Sequence, residues 1–320
     1  MNEIIWEKIE KNVELTATDA IELLNIDNKS GDFYRLIAYS NARSRAVYNN
    51  RGYVFAQIGI NTAPCSGNCG FCSMAKNHYS VDSQSEKDLS EIIAQAEELA
   101  GSGIDALFLM TTADYDFCKF VDIGKKVRDV ISHDIALVAN TGDFDADGAK
   151  RLKDAGFTGA YHIVRLREGI DTAITPETRI KTLNAIRAAG LELYYCVEPI
   201  GPEHRYDELA AEMARAREYG VDVMAVMRRV GVAGTQLGGG VSVSEVEMTK
   251  IAAVTRLFVD PKKSMNIHEP MAMPMLAGVN QLYAEYGGNP RDGAAATERS
   301  RGFSMEAVKK MLGEAEYDIK

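Results

Sequence analysis

Three cysteines with a fixed spacing are the residues of this chain best suited to chemistry. Cys65, Cys69 and Cys72 form a C-x3-C-x2-C run on a glycine-containing loop that directly follows the strand-like segment Tyr53–Ile60. Three thiolates can bind three corners of a 4Fe-4S cube, which leaves the fourth iron without a protein ligand. Because that iron can bind a small molecule, the spacing predicts a cluster that takes part in a reaction.

Other interpretations of these cysteines are possible. A zinc site normally takes four protein ligands, and the nearest candidate for a fourth is His78, six residues after Cys72. A disulfide framework is disfavoured because five cysteines in 320 residues are too few for a stapled secreted fold. A non-catalytic iron-sulfur scaffold or electron carrier would have no use for an iron without a protein ligand. The iron-sulfur interpretation with a reactive cluster therefore fits the spacing best.

The cysteine loop, with Phe71 just before its last cysteine, resembles the signature of the radical S-adenosylmethionine (SAM) superfamily. The resemblance implies that SAM binds the free iron through its amine and carboxylate, beside Phe71. Reductive cleavage would then give methionine and a 5′-deoxyadenosyl radical that abstracts hydrogen from an aliphatic substrate. It also implies a small-molecule or carrier-tethered substrate and an electron donor such as flavodoxin or ferredoxin.

Strand-like apolar segments alternate with amphipathic helical ones, which indicates an α/β fold with a parallel sheet. The candidate strands are Tyr53–Ile60, Asp105–Thr111, Asp134–Asn140, Phe157–Val164, Leu191–Glu198, Asp222–Met227, Ser264–Glu269 and Leu276–Leu282. Eight such strands predict a closed (β/α)8 barrel of the TIM type. We expect residues 1–50 to form a helical extension that includes Phe33–Tyr48, and residues 51–320 to form the barrel.

Several helix ends are readable. Thr175 is a predicted N-cap followed by Pro176 at the first helical position, and Gly220 is a predicted helix end. The pattern Ser242-x-x-Glu245 resembles a capping box. These features belong to the scaffold rather than to the chemistry.

In a parallel barrel the reactive groups gather where the strands end, so those positions are the places to look for SAM contacts. Thr111 and Thr112 follow the second strand, where relatives place small polar groups; a plain turn with Asp as helix N-cap explains them equally well. Arg165, Arg167 and Glu168 follow the fourth strand and resemble the Arg/Glu-bearing strand end of hydrogenase maturases and methylornithine synthase. Alternation puts both arginines on one face, with Glu168 near the turn.

Two further segments resemble SAM contacts of the family. Arg179, in the first turns of the next helix, resembles the arginine that pairs with the SAM carboxylate; its alternative is a solvated helix face. Val230 lies in a run that resembles the sixth-strand end of biotin synthase. There Gly231 and Gly234 would let the backbone approach the adenine, or would only form the turn.

The two remaining cysteines raise the question of a second, auxiliary iron-sulfur cluster. Cys118 follows the second strand, Cys196 lies on the fifth, and His268 lies on the seventh, at positions where biotin synthase places ligands of a sulfur-donating cluster. The third-strand position holds Asn140 instead of a cysteine. Ligation by Cys118, Cys196 and His268 is one interpretation, and buried cysteines acting as small apolar groups are the other.

The resemblance extends from Tyr53 to Asp292, since the segment from His268 to Asp292 resembles the one that closes biotin-synthase-type barrels. It is strongest to the branch with biotin synthase, archaeal-type lipoyl synthase, hydrogenase cofactor maturases and methylornithine synthase. The first functional expectation is sulfur insertion, a sulfurtransferase reaction of lipoyl- or biotin-type cofactor synthesis. The alternative is single-cluster radical chemistry that builds a small cofactor precursor.

Composition excludes several partners. The chain has 36 basic and 46 acidic residues, and a net charge of −10 argues against nucleic acid. It has no apolar run of 18 residues, so we expect no membrane span. The opening segment Met1–Val13 is rich in Glu and Lys and does not resemble a secretory signal, so we expect a cytoplasmic protein in which thiolates stay reduced.

Overall fold

Eight parallel strands close into a barrel in the computed structural model, which describes residues 3–79, 81, 84–285 and 303–320, without the side chain of residue 285. The last strand pairs with the first, which leaves no free edge. This confirms the predicted (β/α)8 barrel. The strands are β1 Tyr53–Gly59, β2 Ala106–Met110, β3 Ala136–Asn140, β4 Gly159–Tyr161, β5 Glu192–Ile200, β6 Val223–Arg228, β7 Ser264–His268 and β8 Gln281–Glu285.

Aromatic side chains fill the inside of the barrel beneath the carboxyl ends of the strands. The Phe55 ring stands 4.5 Å from that of Phe108 and 5.4 Å from that of Tyr283, and Tyr194 of β5 packs edge-on against Phe108. Alternate strand residues share a face, so the residues two and four positions after Tyr194 also point inward, towards the carboxyl ends of the strands. These rings therefore fill the barrel beneath the end where its strands finish, which we call the mouth.

Helices surround the barrel on the outside. They are α1 Glu3–Glu10, α2 Ala17–Leu24, α3 Gly31–Tyr48, α4 Leu89–Gly101, α5 Phe117–Val130, α6 Ala146–Asp154, α7 Pro176–Ala189, α8 Tyr206–Tyr219, α9 Glu245–Val259 and α10 Met305–Glu314. No helix of the described part of the chain has the length and apolar character needed to cross a membrane.

The N-terminal helices pack against the side of the barrel. Three buried polar contacts join α3 to the C-terminal half: Ser40 Oγ donates to Ala277 O at 2.6 Å, Tyr48 OH donates to Pro261 O at 2.7 Å, and Arg256 Nε donates to Ser44 Oγ at 2.8 Å. These contacts are far apart in sequence, so they fix the first helices to the outer face of the barrel beside α9.

One predicted strand was wrong in position. The segment predicted as a strand over Leu276–Leu282 instead begins within a short 3-10 helix, Met273–Ala277, which ends at Gly278 with a φ of 89°. Pro274 sits in the first turn of that helix, where its missing N–H costs nothing. The eighth strand begins only at Gln281, and residues 286–292 of the segment thought to close the barrel lie outside the described residues.

The predicted helix ends were right in two cases and wrong in one. Thr175 caps α7 with Pro176 behind it, and Gly220 ends α8 with a φ of 64°. The N-cap of α9 is Ser244, whose Oγ accepts from Glu247 N at 3.1 Å. The prediction at Ser242 was wrong because both serines are followed three residues later by a glutamate, so the sequence pattern alone does not distinguish them.

Candidate active site at the barrel mouth

The three cysteines of the loop after β1 line one cavity at the mouth of the barrel. The backbone of the loop folds back on itself, since Cys65 N donates to Met74 O at 2.7 Å and Lys76 N donates to Cys65 O at 2.9 Å. Cys72 N also donates to Cys69 O at 3.0 Å. These bonds hold the three side chains together with little room for the loop to open.

The space between the thiols suits a compact inorganic cluster. Gly67 lines the cavity, and a Cβ added there would lie 3.2 Å from Ile174 Cδ1, 3.5 Å from Cys65 Sγ and 3.8 Å from Cys69 Sγ. None of the three cysteines is in a disulfide. Three free thiols around a cradle that a Cβ would fill fit three corners of a 4Fe-4S cluster.

The zinc alternative finds no support in the position of His78. Its ring Nε2 lies 3.0 Å from the carbonyl oxygen of Cys72, so that nitrogen is engaged with the backbone.

Burial raises the pKa of the Cys65 thiol and raises that of Cys69 to about 11. Metal ligation requires thiolates, so loading the loop must release protons.

We predict that Gly67→Ala lowers the iron bound per chain by roughly half or more, because the added Cβ lies against the Cys65 and Cys69 sulfurs, takes up space beside the cluster site and is tight against Ile174. Anaerobic iron and sulfide analysis measures this. Gly101→Ala is the control, since a Cβ at the end of α4 meets no atom within 4 Å. Full iron content in Gly67→Ala would mean that the cradle is wider than the contacts indicate.

Other loops brace the cysteine loop. Asp114, after β2, accepts a hydrogen bond from Ser66 N at 2.6 Å, and its second oxygen accepts from Ser66 Oγ. The neighbouring Asp116 is the N-cap of α5 and accepts from Lys119 N at 2.8 Å. The turn after β2 therefore has the Asp-capped form considered above, and sequence reasoning missed that Asp114 holds the cysteine loop.

The loops after β4 and β6 also contact the cysteine loop through the backbone. Gly70 N donates to Asp171 O at 2.8 Å, and Leu237 N donates to Gly70 O at 2.7 Å. Ala173 N donates to Gly67 O at 2.8 Å. Backbone bonds from two further strand ends thus fix the loop relative to the rest of the mouth.

Arg179 is buried and belongs to a charged network. Its side chain is 7% exposed, one terminal nitrogen donates to Asp143 Oδ2 at 3.1 Å, and Nε lies 3.4 Å from Glu168 Oε2. The alternative of a solvated helix face is therefore wrong. Asp143, which sequence reasoning missed, also lies 3.1 Å from the ring of His162. Although burial opposes it, the His162 contact and the charge of Arg179 lower the pKa of Asp143 to about 2.

The two arginines after β4 point in different directions. Arg165 lines the cavity, and its Nε lies 3.5 Å from Glu198 Oε1. Arg167 has a φ of 58° and its Nε lies 3.4 Å from Asp171 Oδ2 instead. The expectation of a shared face was wrong because β4 ends at Tyr161, so strand alternation no longer applies at these residues.

Glu168 is fully occupied by protein donors. Its carboxylate accepts from Thr172 Oγ1 at 2.6 Å and from Arg165 N at 2.9 Å, besides its contact with Arg179. Its side chain has no exposed surface and is not among those that line the cavity. The geometry therefore makes Glu168 a support for the two arginines, and its direct contact with SAM stays a prediction.

The remaining predicted SAM contacts divide into two groups. Thr111 and Thr112 line the cavity; Thr111 Oγ1 is 2.8 Å from Thr141 Oγ1, and Thr112 is held from both sides by the side chain of Asn61, at 2.9 and 3.0 Å. Phe71 and Val230 are half-buried and lie outside the side chains that form the cavity wall.

The three residues predicted to bind a second cluster do not all come together. Cys118 is exposed in the first turn of α5 and does not line the cavity, because the chain has already entered the helix at Phe117. Cys196 is buried on the inward face of β5, and burial raises the pKa of its thiol well above the usual range. The ligand atoms of Cys196, Glu198 and His268 all lie within 4.8 Å of one another.

Glu198, rather than Cys118, thus lies beside Cys196 and His268. The sequence did not lead us to predict Glu198 as a site residue. The signal was available, since Glu198 follows Cys196 by two residues in a strand and therefore shares its face. Tyr161 OH donates to Glu198 Oε2 at 2.9 Å. Asn140, the residue that departs from the biotin synthase pattern, does line the cavity.

Comparison with known proteins supports a relationship over most of the chain, although no family model matches it. The chain is 28% identical to a biotin synthase of Pelotomaculum thermopropionicum over 303 residues, which cover 88% of this chain and 91% of the relative. It is 25% identical to a biotin synthase of Clostridioides difficile over 263 residues, covering 79% and 80% of the two chains.

The fold is shared with solved structures. Methylornithine synthase superposes with a TM-score of 0.81 at 17% identity, over 98% of this chain and 95% of that one. The FeFe-hydrogenase maturase HydG from Carboxydothermus hydrogenoformans superposes with a TM-score of 0.80 at 16% identity, over 98% and 78%. Together with the cysteine loop at the mouth of the same barrel, these similarities support a place for the chain in the biotin synthase-like branch of the radical SAM superfamily.

Proposed function

We propose that this radical SAM enzyme works with a single 4Fe-4S cluster, held by Cys65, Cys69 and Cys72, and transforms a small polar organic molecule into a cofactor precursor. The observation that carries this proposal is the exposed position of Cys118 on α5. Because Cys118 lies outside the mouth, Cys196 is the one cysteine there besides Cys65, Cys69 and Cys72. A single thiol is a poor basis for a second cluster, because clusters are normally held by several cysteines.

The charges at the mouth support SAM as the cosubstrate. Three carboxylates face two guanidinium groups there, those of Asp143, Glu168 and Glu198 against those of Arg165 and Arg179. Glu269 adds a further carboxylate to the cavity wall, so the mouth is negative overall, whereas SAM, with an ammonium, a sulfonium and a carboxylate, has a net charge of +1. A site of opposite charge lowers the cost of burying a charged ligand.

When bound, the cluster and SAM supply a 5′-deoxyadenosyl radical after one-electron reduction by a donor such as flavodoxin or ferredoxin. The protein's own contribution is positioning. Arg179, held between Asp143 and Glu168, faces the cavity and is suited to grip the SAM carboxylate. Thr111 and Thr112 line the wall next to the cysteine loop, where they are suited to the SAM amine.

The floor below this site has a mixed character that fits a small substrate with polar groups. Phe55, Tyr283 and Tyr161 supply ring surfaces, and Glu198 and His268 supply polar atoms among them. A few polar groups within an aromatic wall orient a ligand while keeping water out. We place the substrate on this floor, with its reacting C–H bond towards the cysteine loop.

Sulfur insertion in biotin- or lipoyl-type synthesis remains the second candidate, favoured by the biotin synthases among the relatives and by the inward position of Cys196. Sulfide analysis separates the two candidates, because acid-labile sulfide is present only in iron-sulfur clusters. We predict about four sulfides per chain in anaerobically purified protein, with no change in Cys118→Ala. About six or more sulfides, or a loss of sulfide in Cys118→Ala, would instead support the second cluster.

A further inference from the structure

We propose that Cys196, Glu198 and His268 bind one divalent transition-metal ion, such as Zn²⁺, on the floor of the barrel mouth, and that the ion's open position takes an oxygen or nitrogen donor of the substrate. This inference rests on the proposed function, since it places the ion where the substrate is expected. It differs from a second iron-sulfur cluster because it requires a single thiol and no sulfide.

The first support is convergence of three different ligand types. The sulfur, carboxylate and imidazole atoms lie within 4.8 Å of one another, and His268 Nδ1 is 4.0 Å from Glu198 Oε2. Ligand bonds of about 2.0–2.3 Å around a tetrahedral ion put ligand atoms about 3.2–3.8 Å apart, so small side-chain shifts complete the site. A set of three protein ligands with a fourth position open is the usual arrangement of zinc that binds substrate or water.

The second support is the orientation of the ligands by neighbouring groups. Tyr161 donates its hydroxyl hydrogen to Glu198 Oε2 at 2.9 Å, and its ring stacks on the imidazole of His268 at 5.7 Å. The guanidinium of Arg165 stands 3.5 Å from the other oxygen of Glu198. Such outer contacts fix ligand orientation before the metal arrives, and they are typical of real metal sites.

The third support is a buried polar side chain without a partner. Asn266 is 1% exposed, and neither its amide oxygen nor its amide nitrogen has a hydrogen-bond partner among the described residues. It lies on the same face of β7 as His268, and the strand register puts it level with Ala225 and, through Ala225, with Cys196. A buried amide costs free energy unless something hydrogen-bonds to it, and a metal-bound water or substrate group at this level would do so.

Charge also favours a dication here. A thiolate at Cys196 and the carboxylate of Glu198 together neutralise one divalent ion. Deprotonation of the thiol and arrival of the ion therefore add one positive charge in all to a mouth whose carboxylates, with Glu269 on the cavity wall, outnumber its two guanidinium groups. The ion brings the interior closer to balance, which is the condition under which buried charges are tolerated.

Zinc K-edge X-ray absorption on the holoenzyme tests the proposal, because this edge sees only zinc and ignores the iron of the cluster. Protein incubated with Zn²⁺ and desalted is expected to retain about one zinc per chain, with one sulfur ligand near about 2.3 Å and the others nitrogen or oxygen near about 2.0 Å. Cys196→Ser and His268→Gln are expected to bind zinc at least about tenfold more weakly. Cys118→Ala, whose cysteine is exposed on α5, is the matched control and should retain the ion.

Three outcomes would overturn the proposal: wild type that retains no zinc, an unchanged spectrum in Cys196→Ser, or a spectrum with two or more sulfur ligands, which would put the zinc in the cysteine loop. Circular dichroism melting of both variants verifies that lost binding is not lost folding. A protein with about four sulfides per chain that retains no zinc would reject the metal site and leave the single-cluster function standing. A protein with about six or more sulfides per chain would reject the single-cluster function, and with it the proposal that rests on that function.

Discussion

Replacing Cys69 with alanine is expected to abolish both the 4Fe-4S cluster and the cleavage of SAM. The three thiols of the loop line one cavity, and no other cysteine lines that cavity to replace a missing one. Losing one thiol leaves a second iron without a protein ligand, so the cluster loses an anchor as well as its defined open position. Anaerobic iron and sulfide analysis, together with 5′-deoxyadenosine release under dithionite, measures both effects.

Cys118→Ala is the control for this experiment, since it removes a thiol from the exposed first turn of α5 and leaves the mouth intact. It is expected to keep its cluster and to release 5′-deoxyadenosine like the wild type. Undiminished 5′-deoxyadenosine release from the Cys69→Ala protein would show that the loop does not hold the reactive cluster.

The second large effect is expected at Arg179. If Arg179 binds the SAM carboxylate as proposed, Arg179→Ala removes a buried charged partner, which costs about 1.5–3 kcal/mol, or roughly ten- to a hundredfold in affinity. Anaerobic calorimetry with SAM measures the change. Arg187→Ala is the matched control, because Arg187 lies on the same helix but is exposed and stacks on Tyr219.

Stability has to be followed in the same experiment. Removing Arg179 leaves Asp143 and Glu168 without their shared cation, and breaking a buried ion pair costs about 3–5 kcal/mol. Arg179→Lys keeps the charge but not the paired nitrogens, so we expect it to fold and to bind SAM with intermediate affinity. A folded Arg179→Lys protein with wild-type affinity, or unchanged binding in Arg179→Ala, would remove Arg179 from the SAM site.

The relation to biotin synthases does not by itself decide the reaction. The identity of 25–28% to these relatives is too low to carry their reaction over to this chain. Glu198 lies beside Cys196 and His268, where the resemblance predicted a second thiol. The floor is therefore the part of the site where we expect the substrate of this chain to be selected.

The sequence alone determined the features whose physical basis is local. The three loop cysteines are close in sequence, so their spacing defines a ligand set before any folding is considered. Apolar segments separated by helical ones predicted the barrel, because each strand is buried on both faces and each helix on one. Where two local patterns were equivalent, as for Ser242 and Ser244, or where a 3-10 helix extended into an apolar run, as at Leu276, the sequence predicted the wrong boundary.

The tertiary structure decided which side chains meet across strand ends. Asp143 reaches Arg179 and Asp114 reaches the cysteine loop over 36 and 48 residues, and neither pairing leaves a trace in local sequence. The side chains of Arg165 and Arg167 point in different directions because β4 is only three residues long. Cys118 faces outward because α5 begins one residue before it. A strand that ends, or a helix that begins, one or two residues earlier redirects every following side chain, so the contents of the mouth depend on boundaries that only the packed barrel sets.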